Sequence, residues 1–367
     1  MPNVKFSLPY NNDFGTLKQQ LELQGHGGNV ISEIYLSGPQ GYSGAGRIVK
    51  QVNLREFFDV IELVHANNIS VNVIANSTCG GISWYGANRI EDLVSFLSRI
   101  YREYKVETVT IANPLLISEI KQRIPGLMVC ASVLADIDCV QRAMVAKQAG
   151  ADIITPDANI NRDIRLLSQI KQATGLELKV MVNEGCLYKC LYRKFHFNYV
   201  SHYSKEVRTE IPDVKNFFSY CMAITKKDPS QILKSGWIRP EDLTRYAGIS
   251  DFFKVVGRTR PKSMILRTVR AYMQEHYAGN IFDILCSSLN AFSLSYGAYI
   301  DNEKLDEANF FDRVSSCNRN CSECDYCSNL ANRLLKLSVV TREKLEDMGQ
   351  SDVAVKLEAA GKLPYFS

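Results

Sequence analysis

Eleven cysteines in 367 residues carry most of the recognisable chemistry of this chain. Four crowd into CNRNCSECDYC as Cys317, Cys321, Cys324 and Cys327, and Cys186 and Cys190 form CLYKC, with Cys221 further on in SYCM. A chain of this length builds a core without disulfide staples, and its start, MPNVKFSLPYNN, lacks a basic segment followed by an apolar one. Clustered thiols in such a chain point to metal or cluster ligation and to the cytoplasm. A [4Fe–4S] cluster needs four thiolates at close spacing on a loop that wraps a cube. Cys317-x3-Cys321-x2-Cys324-x2-Cys327 supplies that spacing, and zinc also accepts four thiolates there. Cys186, Cys190 and Cys221 supply three ligands of a second cluster, the fourth being unassigned.

Two other readings compete. Cys186, Cys190, His196 and His202 give C-x3-C-x5-H-x5-H, whose central gap is too short for a zinc finger. Phe195, Phe197 and Tyr199 alternate as a strand would, making the histidines its other face. CxxxCxxC from Cys317 to Cys324 matches radical S-adenosylmethionine spacing, but it lies beyond the last strand rather than after the first. Cys79, Cys130, Cys139 and Cys286 read as packed thiols, with Cys79 the one that could face a pocket. No HExxH, P-loop, GxSxG or strand-following GxGxxG is present. The segment GPQGYSGAGR reads as a loop rather than a phosphate cradle.

Positioning these groups requires a scaffold. Short apolar strands are expected at Val4–Leu8, Ser32–Leu36, Ser70–Ala75, Glu107–Ala112, Leu127–Ser132, Asp152–Thr155, Leu176–Val182 and Phe252–Val256. Amphipathic helices lie between them: Leu93, Phe96, Leu97 and Ile100 share one helical face, Asn53 caps a helix, and Gly175 stops one. Eight strand–helix alternations predict a parallel (β/α)8 TIM-type barrel over residues 1–270. The long gap after the seventh strand implies an insertion at about 184–250. Residues 271–367 read as an α-helical, Cys-rich extension. Composition is globular, the net charge of +4 is modest, and no apolar run is long enough for a membrane span.

Barrels of this kind place chemistry at the C-terminal strand ends. Those ends carry Asn11, Gly38, Asn76, Asn113, Ser132, Asp157, Asn183 with Glu184, and Arg258. Asparagine offers donors and an acceptor, so a polar pocket is expected, with Asn76, Asn113, Asn183 and Arg258 binding substrate. Glu184 would manage a proton and Arg258 an anionic group.

The stretch from about 106 to 275 resembles peptidase family U32. The likeness rests on VTIANPLLISEIKQRIPGLMVCASVLADI, then AGADIITPDANINRDI, then LELKVMVNEGCLYKC, and finally PEDLTRYAGIS before FFKVVGRTRPKS. Departures are Asn183-Glu184-Gly185 where that family carries His-Gly, and Thr155-Pro156-Asp157 in place of Pro-Arg-Glu. The resemblance implies an iron–sulfur protein despite the peptidase label, with Cys186, Cys190 and Cys221 in the cluster region and Arg258 in the Gly-Arg element. It implies oxygen-independent oxidation, hydroxylation or a related group transfer, using one or two [4Fe–4S] clusters. The second cluster, on Cys317 to Cys327, would supply electrons or lend one thiolate to the first. The substrate class stays open between small molecule, peptide and RNA, and an electron donor is an expected partner. A protein with purely structural metal and a U32 peptidase are the alternatives; the sequence shows no nucleophile–base pair.

Overall fold

The computed structural model describes residues 4–39, 53–81, 86–203 and 217–338. Most of the glycine-rich segment GPQGYSGAGR lies outside them. Eight parallel strands close into a barrel in chain order: β1 (Lys5–Pro9), β2 (Val30–Ser37), β3 (Ser70–Ala75), β4 (Thr108–Ile111), β5 (Met128–Ala131), β6 (Ile153–Ile154), β7 (Glu177–Met181) and β8 (Phe252–Lys254). Each expected strand is found, most of them a residue or two shorter. β8 pairs with both β7 and β1, aligning Lys254 with Met181 on one side and Ser7 on the other.

The barrel helices are α1 (Phe14–Leu21), α2 (Leu54–Ala66), α3 (Ala87–Tyr104), α4 (Pro114–Arg123), α5 (Val140–Gln148) and α6 (Ile164–Thr174). Their boundaries follow side-chain chemistry. Asn53 Oδ1 accepts the backbone N–H of Glu56 at 2.8 Å and starts α2. Gly175, with φ +69°, ends α6 in the left-handed conformation. Leu93, Phe96, Leu97 and Ile100 are buried along one face of α3, as their spacing predicts.

Between β7 and β8 the chain inserts α7 (Arg193–Tyr203), α8 (Phe217–Lys227), α9 (Ser230–Lys234) and a 3-10 turn over Pro240–Tyr246. Phe195, Phe197 and Tyr199 therefore lie on a helix, not on the strand that their alternation predicted. Aromatic alternation over five residues is too short to fix the period, and α7 is held by burying Phe197 and Val200. After β8 come α10 (Lys262–Met273), α11 (Ser287–Tyr296), α12 (Asn302–Glu307), α13 (Phe310–Ser315) and α14 (Tyr326–Leu334). One apolar core runs from the barrel into these helices, Phe6 and Leu330 belonging to the same cluster. Trp237 stacks on Phe310 with ring centres 5.3 Å apart. At Gly236 the insertion runs so close to the barrel that a Cβ would stand 1.8 Å from the carbonyl oxygen of Ala158.

The barrel lumen is polar in its middle layer. Lys179 on β7 donates to both carboxylate oxygens of Glu33 on β2 at 2.7 Å, and Ser7 on β1 donates to Glu33 at 2.5 Å. β7 and β2 are not neighbours in the sheet, so this contact crosses the lumen. Thr110 donates to Asn72 at 2.8 Å between β4 and β3. All five residues are buried.

Candidate active site at the barrel mouth

Above that layer lies a cavity of about 260 Å³, walled by the C-terminal strand ends and the segments that follow them. Tyr35, Asn76, Ser132, Glu184, Lys254 and Arg258 give it polar faces. Asn76 Nδ2 donates to Ser132 Oγ at 2.9 Å, which fixes the amide against the wall. Arg258 donates to Ser37 Oγ, and its guanidinium carbon lies 5.7 Å from the Tyr35 ring centre. Helix α7 closes one side through Phe197 and Arg193. Arg193 is held by a 2.5 Å bond to the buried carboxylate of Asp157.

Two of the expected pocket asparagines do other work. Asn113 caps α4, its Oδ1 accepting from Leu115 N–H at 3.0 Å, and it does not line the cavity. Asn183 is fully buried behind the wall. It donates to the carbonyls of Val256 and Ile284 and accepts from Val256 N–H at 2.7 Å, tying β7 to the chain beyond β8. Both follow from asparagine's ability to satisfy backbone groups as readily as ligands. Cys286, read as a packed thiol, is buried and donates to the Val256 carbonyl at 3.1 Å, and it also contributes to the cavity lining at the start of α11.

Lys254 entered the sequence reading only as the lysine of the Lys, Gly-Arg strand-end signature in FFKVVGR, with no role assigned. It projects from the last residue of β8 into the cavity, its Nζ 4.0 Å from the Tyr35 ring centre. Burial, then the charge of Lys179, bring its amine down to about 7.

Of the insertion's thiols, Cys186 adjoins this cavity through Glu184. Cys186 donates to Glu184 Oε1 at 3.3 Å, and Ser235 Oγ holds the carbonyl of Cys186 at 2.7 Å. Cys221 reaches Cys190 from α8, and the thiol–thiol hydrogen bond between them lowers Cys190 to about 6 while raising Cys221. Cys221 also lies within electrostatic reach of Cys186. The two histidines stand apart from that set: His196 stacks between Phe197 and Phe217, and His202 faces Cys79. The finger-like C-x3-C-x5-H-x5-H pattern is therefore not assembled.

The other four cysteines wall a second, small cavity. Cys317, Cys321, Cys324 and Cys327 line it together with Lys234, Arg313 and Tyr326. The space enclosed is about 20 Å³, so a multi-iron group requires the 317–325 loop to spread, and Cys321 already faces solvent. Arg162, buried beside the stacked rings of Trp237 and Phe310, lies within electrostatic reach of Cys327 and Arg319. Burial and then the Arg319 charge pull it down to about 10. Among the described residues its Nε and Nη1, and the Nε and Nη2 of Arg319, are buried and find no hydrogen-bond partner. Two under-satisfied guanidinium groups beside four thiols fit an anionic thiolate cluster, which supplies both charge and sulfur acceptors. Among the described residues no three His, Cys, Asp or Glu side chains stand close enough to share a single ion.

A thiol–imidazole pair also forms at the rim. His202 Nε2 lies 3.1 Å from Cys79 Sγ, and Ser201 accepts from Thr78 N–H at 3.0 Å, clasping α7 to the loop after β3. The partners are 123 residues apart, and no sequence pattern joins them.

A (β/α)8 barrel with thiols gathered at its mouth defines the structural class. The comparisons with known proteins narrow it. Residues 26–206 match peptidase family U32, a span that includes Cys186 and Cys190 but neither Cys221 nor the C-terminal four. An uncharacterized protease of Methanocaldococcus jannaschii is 32% identical over 310 residues, 83% of this chain and 89% of that protein. The solved U32 peptidase Mk0906 superposes with a TM-score of 0.52 at 18% identity, over 70% of this chain and 93% of that one, and so shares the fold. The chain belongs to peptidase family U32. Among the described residues no helix is long and apolar enough to cross a membrane.

Proposed function

We propose that the chain is an iron–sulfur enzyme acting on a polar, anionic substrate at the barrel mouth, by oxygen-independent oxidation, hydroxylation or a related group transfer. The observation that carries this reading is that Cys221 meets Cys190 across the insertion while Cys186, within electrostatic reach of Cys221, bonds the cavity-lining Glu184. Such a group, when bound, supplies one-electron chemistry beside the substrate. The chain's own residues do the rest. Arg258 offers a planar fork to a carboxylate or phosphate, Asn76 orients polar substituents, and Glu184 holds or moves a proton. The C-terminal four thiols are a second cluster site, fitted to an electron donor. Anaerobically prepared protein is expected to contain iron and acid-labile sulfide; stoichiometric zinc without sulfide overturns the reading.

A second reading is favoured by one contact. Cys79 and His202 have the thiol-to-imidazole geometry of a nucleophile and its base, and the relatives above carry peptidase names. On this reading casein hydrolysis should survive removal of iron and disappear in Cys79→Ala. Hydrolysis that persists in the variant removes the pair from consideration.

A further inference from the structure

The lumen holds two strand lysines whose surroundings differ sharply. Lys179 lies in the middle layer and is neutralised by both oxygens of Glu33 at 2.7 Å. Lys254 lies at the mouth, in register with Met181 and Ser7 on the flanking strands. Among the described residues its Nζ makes no hydrogen bond and no ion pair; it sits over the Tyr35 ring face, and the cavity opens beside it. The charged and titratable groups that influence it are Lys179 on β7, Cys130 on β5, Glu33 on β2 and Arg258 just beyond β8. Glu33 is already engaged by Lys179 and Ser7. Two cations and a dry wall favour the uncharged amine, the condition that makes a lysine nucleophilic near neutral pH.

We propose that Lys254 is a nucleophilic amine that forms a Schiff base with an aldehyde or ketone substrate whose anionic group is held by Arg258. Nζ adds to the carbonyl carbon while its proton passes to the oxygen, giving a carbinolamine. Uptake of one proton and departure of water then leave the protonated imine, and hydrolysis reverses the sequence. A neutral amine facing a cavity of about 260 Å³ that also holds one arginine fork suits a compact keto or aldehyde acid. The proposal goes beyond the iron–sulfur reading and does not depend on iron being bound.

The test uses the full-length chain. Reductive methylation with formaldehyde and cyanoborohydride is followed lysine by lysine with peptide mass spectrometry, between about pH 5.5 and 10. Formaldehyde is small enough that substrate fit does not enter. Lys254 is expected to react with a midpoint near pH 7, and at that pH at least about tenfold faster than the median exposed lysine, because ordinary lysines are almost wholly protonated there. Lys179 should be protected. A Lys254 profile that rises only near pH 10, or a rate below that of exposed lysines at pH 7, overturns the proposal. Glyoxylate with borohydride then examines the anion. A trapped adduct at Lys254 that falls at least about tenfold in Arg258→Gln supports the assignment of the arginine. No adduct, or equal trapping in both proteins, overturns that part.

Discussion

Glu33→Ala should lower the unfolding free energy by about 3–5 kcal/mol, because it strands the ammonium of Lys179 in the barrel lumen. The two side chains are 4% and 0% exposed, so water cannot take the carboxylate's place. Burial alone would favour the neutral acid. Lys179, then Lys254, and the hydrogen bonds from Lys179 and Ser7 outweigh it and keep Glu33 below its ordinary value. The sign of the pH dependence follows. A carboxylate whose native pKa is depressed stabilises the fold above its unfolded value of about 4.3, and that stabilisation is lost as pH falls through the native value. The difference between wild type and Glu33→Ala, read from urea unfolding, should therefore be full at neutral pH and shrink in acid. Replacing both partners, as Glu33→Leu with Lys179→Met, should recover most of the loss, since a filled apolar layer is tolerated where an unpaired charge is not. A loss under about 1 kcal/mol in the single variant would mean that water reaches the lumen after all.

Cys190→Ala should leave a folded chain with about half the iron and sulfide and no turnover, if each group of thiols holds its own four-iron cluster. The hydrogen bond from Cys221 disposes Cys190 to ionise, and thiolate is the form that ligates iron. Cys324→Ala should remove the other half. Iron and sulfide counts with far-ultraviolet circular dichroism decide the matter. If either variant alone loses all iron, the two groups share one cluster; if both keep it all, they are ordinary thiols.

The strands were legible because each is a short apolar run with a turn residue after it, and eight such runs admit few topologies. The caps were legible for a local reason: Asn53 and Gly175 act on groups within four residues of themselves. Asn113 and Asn183 were legible only as strand-end asparagines. Whether such an amide serves a backbone or a ligand depends on what the next strand brings, which sequence order does not reveal. Lys179 passed as an ordinary strand residue and Lys254 only as part of the Lys, Gly-Arg signature, although their apolar neighbours were the signal for an inward-facing position. That one is paired and the other is not follows from Glu33, which lies about 150 residues before Lys179. The clustered cysteines stood out by spacing, whereas Cys286 and the Cys79–His202 contact depend on long-range closure.

That closure has a consequence for synthesis on the ribosome. β1 and β8 are about 250 residues apart, and their pairing joins the two ends of the sheet. At roughly 5–20 residues per second, β1 and its neighbours wait on the order of ten to fifty seconds for the strand that completes them. Throughout that interval the nascent sheet carries two raw edges, the feature most prone to pair with another chain. Lys254, the final residue of the closing strand, is among the last wall residues to arrive. A message truncated before codon 252 would yield an edge-exposed half-product rather than a weak enzyme, and would be a substrate for chaperones and proteases alone.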